Sequence, residues 1–273
     1  MSAIDRALGI IRSLAIYRGI PLRQRRLRRL YAPFVPPGSL TFDIGAHAGN
    51  RVRALADLGC RVVAVEPQPA FAELLRAAFR RTPSVTIVEA AVSDEVGRRT
   101  LLISDRTPTV TTIDEGWRAA RARDADFAGV EWNRTVDVDT LTLDALIERF
   151  GTPAFVKIDV EGSEPAVLRG LTQPIPALSF EYLPQALGEV ERSVARLEAL
   201  SPYEYNWSLG ETGVLASKTW LSARAVLEAL RTPLAQQRPG DVYARQVMNS
   251  RARSSGPTIG SAPSGWSAPA TGR

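Results

Sequence analysis

An α/β fold, built on a mostly parallel sheet with helices on both faces, is what the sequence predicts, and three observations carry it. From residue 39 short apolar strands alternate with helical segments in the order β-α-β-α-β. Those strands are apolar on both faces, as strands buried between two helical layers are. A glycine-bearing turn, "GAHAG" at 45–49, joins the first strand to the first helix.

Taken in order, "SLTFDIG" is a strand and "AGNRVRALADLG" a helix closed by Gly59. "CRVVAVEP" is a strand, "PAFAELLRAAFRR" a helix and "VTIVEAAVS" a third strand. "GRRTLLIS" and "RTVDVDTLTLDAL" alternate cleanly and read as a β-insertion ahead of the fourth parallel strand, separated by a polar stretch that includes Trp117. "PAFVKIDVEG" is that fourth strand, "EPAVLRGL" a helix, "ALSFEYLP" a strand, and residues 189–200 a helix. "YEYNWSLG", "TGVLAS" and "DVYARQV" are the closing strands. Ahead of all these, Ile4, Leu8, Ile11 and Leu14 fall at helical spacing and "LRQRRLRRLY" follows Pro21. The expected organisation is an arginine-rich helical extension over 1–37, a principal domain over 38–247, and a disordered Ser/Pro/Gly tail over 248–273.

The charge is unevenly placed. Of the total of +5, residues 1–39 contribute +7 and residues 245–273 contribute +4, which leaves −6 for the middle. An acidic core argues against a nucleic-acid partner, while residues 1–30 suit a membrane surface or a protein contact. One cysteine and one histidine exclude a disulfide and a His/Cys zinc site. No signal peptide or spanning segment is visible, so a cytoplasmic location is expected.

In "FDIGAHAGN", Asp43 ends the strand, Gly45 permits the tight turn and Gly49 lets the helix approach closely. His47 stands where a dinucleotide loop has its middle glycine, and a β-carbon there would crowd a pyrophosphate. Glu66 ends the next strand, 21 residues after Gly45, where a carboxylate can accept from both hydroxyls of a ribose. At the third strand end Ala91, Val92 and Asp94 can border an adenine. Together these favour an adenosine site. An NAD(P)-dependent oxidoreductase stays as one alternative, disfavoured by His47 and by the absence of an obvious Tyr-x-x-x-Lys pair. A non-catalytic nucleoside-binding module tethered by the N-terminal helices is another.

The ordered set "FDIGAHAGN", "VVAVEP", "VTIVEAAVSD", "VDVDTLTLDAL" and "VKIDVEGSEPAVLRGL" resembles the FkbM-type S-adenosylmethionine-dependent methyltransferases over about residues 39–183. The resemblance implies a class I Rossmann-like methyltransferase fold and O-methylation of sugars, polyketides or related hydroxylated metabolites. It implies S-adenosylmethionine contacts at Asp43, Gly45 and Gly49 for the methionine end, Glu66 for the ribose and Asp94 near the adenine; His47, Asn50 and Ala91 complete the candidate cofactor-binding residues. That cofactor has no phosphate for residue 47 to crowd, and its sulfonium suits an acidic crevice.

Lys157, Asp159 and Glu161 alternate with Val156, Ile158 and Val160, so an unbroken strand puts the three charges on one face. Lys157 and Asp159 are within pairing range. Asp159, Glu161 and Glu181 are the candidate bases for a hydroxyl proton, with His47 as a cofactor-packing residue. The same three acids can hold Mg²⁺, a reading kept as secondary, so no metal ligand is assigned. Tyr182, Tyr205 and Trp207 are either an acceptor platform or core aromatics.

Overall fold

The computed structural model describes residues 21–210 and 212–247. The helix expected over 3–19 and the tail over 248–273 lie outside them. In chain order the first half runs α1 (Pro21–Tyr31), β1 (Leu40–Ile44), α2 (Asn50–Asp57), β2 (Arg61–Val65), α3 (Pro69–Phe79), β3 (Val85–Val88), β4 (Ala91–Val92) and β5 (Gly97–Ile103). The second half runs α4 (Glu115–Arg121), β6 (Arg134–Leu141), α5 (Leu143–Phe150), β7 (Phe155–Ile158), α6 (Glu164–Arg169), β8 (Ala177–Tyr182), α7 (Leu187–Leu200), β9 (Tyr203–Leu209), α8 (Ala223–Leu230) and β10 (Gly240–Gln246).

Seven strands form one sheet in the order β3-β2-β1-β7-β8-β10-β9. The first five are mutually parallel, and β10 runs antiparallel to both its neighbours. Period-two alternation splits the side chains between two cores. Phe42, Ile44, Val63, Val65, Val156 and Ile158 face α5, α6, α7 and α8, while Val62, Ala64 and Phe155 face α1, α2 and α3. Each such apolar side chain taken from water stabilises the fold by about 1.5–3 kcal/mol. A small second sheet, β4-β6-β5, is the insertion expected from the alternating segments.

Two expected strands need correcting, and two helices have no counterpart in the sequence reading. "VTIVEAAVS" is two strands, because β3 follows the main sheet while Ala91 and Val92 turn to pair with Thr140 and Leu141 of β6. "TGVLAS" is not a strand; it meets β9 through an isolated bridge, Ser208 to Leu215, and through hydrogen bonds of Ala216 to Trp207 and of Ser217 to Asn206. The polar stretch holds a helix, α4, capped by the Asp114 side chain accepting from the Trp117 N–H. A further helix, α8, is capped by Ser222 in the same way.

Residues 21–37 pack into the body of the fold. Leu27, Leu30, Tyr31 and Val35 are buried, and Phe34 lies 5.3 Å from the Phe155 ring and 6.0 Å from that of Tyr243. Arg25, Arg26 and Arg29 are exposed on the outer side of α1. Among the described residues no helix is long and apolar enough to cross a membrane.

Candidate active site

The parallel strands β2, β1, β7 and β8 end at one edge, and the chain reverses its order of laying down strands between β1 and β7. Ligands of open α/β sheets bind at that switch. A cleft of about 930 Å³ opens there, lined by the loops after β1 and β2, by Ala90–Val92, by Pro108–Ile113 of the insertion, and by Asp159, Glu161 and Glu181.

The loop after β1 is fixed by backbone geometry. Gly45 has φ +80°, and a β-carbon on it would lie 1.8 Å from the Asp159 carbonyl oxygen. Only glycine lets β1 and β7 converge so closely, and the Asp159 N–H donates to the Ile44 carbonyl at 2.9 Å across that contact. Gly49, at φ +77°, leaves room for Leu75 and Phe79 of α3, so it serves helix packing from outside the cleft lining. His47 also has positive φ (44°), and its ring packs on Phe71 at 4.1 Å between centroids. Burial lowers its pKa to about 4, so it is neutral at physiological pH.

Glu66 sits at the end of β2, its carboxylate accepting the N–H of His47 at 2.7 Å and of Gln68 at 2.9 Å. A carboxylate has about four acceptor positions, so room remains for ligand hydroxyls. Burial pushes its pKa up to about 7 against those two hydrogen bonds. Asn50 and Ala91 line the cleft; Asp43 lies beneath it, raised to about 6 by burial with Arg51 and Lys157 opposing. Asp94 does not reach the cleft. Its carboxylate turns outward to Arg169 at 2.9 Å and Arg99 at 3.1 Å, because the chain leaves the main sheet at β4. Burial notwithstanding, Arg169 and Ser93 hold Asp94 below the usual carboxylate range.

The charged segment is not one strand. β7 ends at Ile158, and Glu161 takes φ +52°, an uncommon conformation for a residue with a β-carbon. Two neighbours hold it there. The Glu164 carboxylate accepts the N–H of Val160 and of Gly162, each at 3.0 Å, and the Thr112 hydroxyl donates to the Glu161 carbonyl at 2.9 Å. Gly162 is roofed by Trp117, whose ring a β-carbon would meet at 1.9 Å. This geometry brings carboxylate oxygens of Asp159, Glu161 and Glu181 within 4.8 Å of one another, a set that can take up a proton or hold a small cation.

The three acids differ. Burial and then the neighbouring acids raise Glu161 and Glu181 well above the ordinary carboxylate value. Asp159 is pulled the other way: against burial, Lys157 at 3.3 Å and Arg51 at 3.6 Å keep it ionised. Tyr182, Tyr205 and Trp207 are at most 5% exposed and belong to the core, away from the cleft. Thr112, Gln68, Arg51, Glu164 and Asp241 escaped the sequence reading as site residues. Of these only Glu164 carried a signal, as the acid that opens the helix "EPAVLRGL".

The sequence matches the family described as the methyltransferase FkbM domain over residues 43–201. No curated protein matches the chain. Among solved structures it is similar to an O-methyltransferase from Bacillus cereus in complex with SAH, at 14% identity and TM-score 0.46, covering 90% of this chain and 98% of that one. It is also similar to the precorrin-6y C5,15-methyltransferase of Geobacter metallireducens, at 14% identity and TM-score 0.42, covering 82% and 86%. The fibrillarin of Aeropyrum pernix, with natively bound S-adenosyl-L-methionine, matches at 10% identity and TM-score 0.41, covering 81% and 76%. With its family match spanning more than half of its length, and the matched segment carrying β1, β2, β7 and β8 with the loops that line the cleft, the chain belongs to the FkbM methyltransferase family.

Proposed function

We propose that this methyltransferase uses S-adenosylmethionine to methylate a hydroxyl of a small acceptor, a sugar, glycolipid or secondary metabolite. The observation that carries the reading is the meeting, in one cleft, of a strand-end carboxylate, Glu66, with the acidic set Asp159, Glu161 and Glu181. The residues fit the cofactor: Glu66 keeps acceptor capacity for ribose hydroxyls, Gly45 lets the loop after β1 close against Asp159 at the cleft, and the crevice is acidic towards a cation. When bound, S-adenosylmethionine supplies an electrophilic methyl group on its sulfonium.

The chain's own work is alignment and proton management. Pro108, Thr109, Thr111, Thr112 and Ile113 of the insertion form one wall of the cleft. Glu161 and Glu181, close enough to share a proton, leave one ionised member, which accepts the hydroxyl proton of the acceptor on a carboxylate oxygen, a role worth about 10²–10⁴-fold in rate. Asp159, held ionised by Lys157 and Arg51, is a poorer base and a better electrostatic partner for a cation.

Titration calorimetry against S-adenosylmethionine and NADP, followed by incubation of the cofactor-loaded enzyme with pools of hydroxylated metabolites, tests this. The expected result is binding of S-adenosylmethionine and products heavier by one methylene. Binding of NADP alone overturns the reading.

A further inference from the structure

One buried charge at the cleft edge has no part in the proton transfer. Lys157 is fully buried, and its three protons go to Asp241 at 2.9 Å, the Ile158 carbonyl at 3.0 Å and Asp159 at 3.3 Å. Asp241 reaches this place because β10 runs against the parallel strands, so its first residues lie at their carboxyl ends, in register with Glu181. Its second oxygen accepts the Tyr243 hydroxyl at 3.3 Å.

We infer that Asp241 is a positioning residue for the cofactor's cationic end: by taking the nearer share of the Lys157 charge, it leaves the group around Asp159 one unit less positive towards the cleft. This rests on the S-adenosylmethionine reading above. Lys157 and Arg51 against Asp159 and Asp241 sum to zero, whereas the same two cations against Asp159 alone sum to +1. Arg51 on the cleft side and Asp43 beneath are the further charges that bear on Asp159.

S-adenosylmethionine and S-adenosylhomocysteine differ by the methyl and the sulfonium charge. The ratio of their affinities therefore reads the charge facing that end, while a distorted site weakens both. Calorimetry of the full chain and of Asp241→Asn with each ligand is expected to show S-adenosylmethionine weakened about tenfold and S-adenosylhomocysteine by less than about twofold. The double variant Lys157→Met, Asp241→Asn removes both partners, restores the net charge around Asp159 and brings the ratio back within about twofold of the unaltered chain. If Asp241→Asn does not fold, Lys157→Met alone carries the test: with one positive charge removed, the ratio is expected to move about tenfold in favour of S-adenosylmethionine, and an unchanged ratio overturns the inference. Equal losses for both ligands, or a ratio still about tenfold low in the double variant, overturn the inference. An unaltered chain that binds neither ligand overturns the S-adenosylmethionine reading itself.

Discussion

The two glutamates on either side of the cleft, Glu66 and Glu161, are the same residue under opposite regimes. Glu66 ends a regular strand and is tied by two backbone N–H groups, so its position follows from the ladder that holds β2. Glu161 lies beyond its strand in a left-handed conformation, kept there by Glu164 and Thr112 and crowded by Asp159 and Glu181. A group meant to bind the same partner in every cycle is best fixed by hydrogen bonds. A group meant to take up and release a proton is best placed among like charges, where neither protonation state is far away in free energy.

If the division holds, Glu161→Gln lowers kcat about 10²–10⁴-fold while calorimetric affinity for S-adenosylmethionine stays within about twofold. A parallel loss of binding would erase the contrast. On the other side, Glu66→Ala weakens cofactor binding by about 10–100-fold, from the loss of charge-assisted hydrogen bonds, and leaves kcat at saturation nearly unchanged. The smallest effect is on stability. Glu66 titrates at about 7 in the fold against an ordinary 4.5, so it holds its proton more tightly folded than unfolded. Its contribution is complete below 4.5 and is lost as pH rises through about 7. Thermal melting of the cofactor-free protein between those limits should fall with rising pH, and Glu66→Gln should flatten that slope by a few degrees, roughly.

The same contrast decides what the sequence disclosed. The regular half was legible because period-two alternation, glycine turns and strand-end acids are local signals: β1, α2, β2 and α3 fall where the pattern puts them, and Glu66 and Gly45 come with them. The other half depends on contacts between distant segments. Alternation through Val156–Glu161 suggested an unbroken strand, whereas the capping carboxylate of Glu164 and the hydroxyl of Thr112, 49 residues upstream of Glu161, stop it at Ile158. Asp94 belongs at the cleft only if "VTIVEAAVS" is one strand, and the departure of β4 to a second sheet is a tertiary event that no local pattern carries. Asp241 gave no sign, since nothing local says that the last strand of the sheet runs backwards between β8 and β9.

That reversed strand has a consequence for how the molecule is made. In the main sheet β9 is bonded only to β10, which is synthesised after it. A growing chain that has emerged through α8 holds every parallel strand, yet the outer edge of β8 is still open and Lys157 lacks its nearer carboxylate. The charge arrangement at the cleft edge is thus completed only after every parallel strand has been made, and truncation before Gly240 would yield a bare sheet edge together with a lysine that has lost its nearer carboxylate.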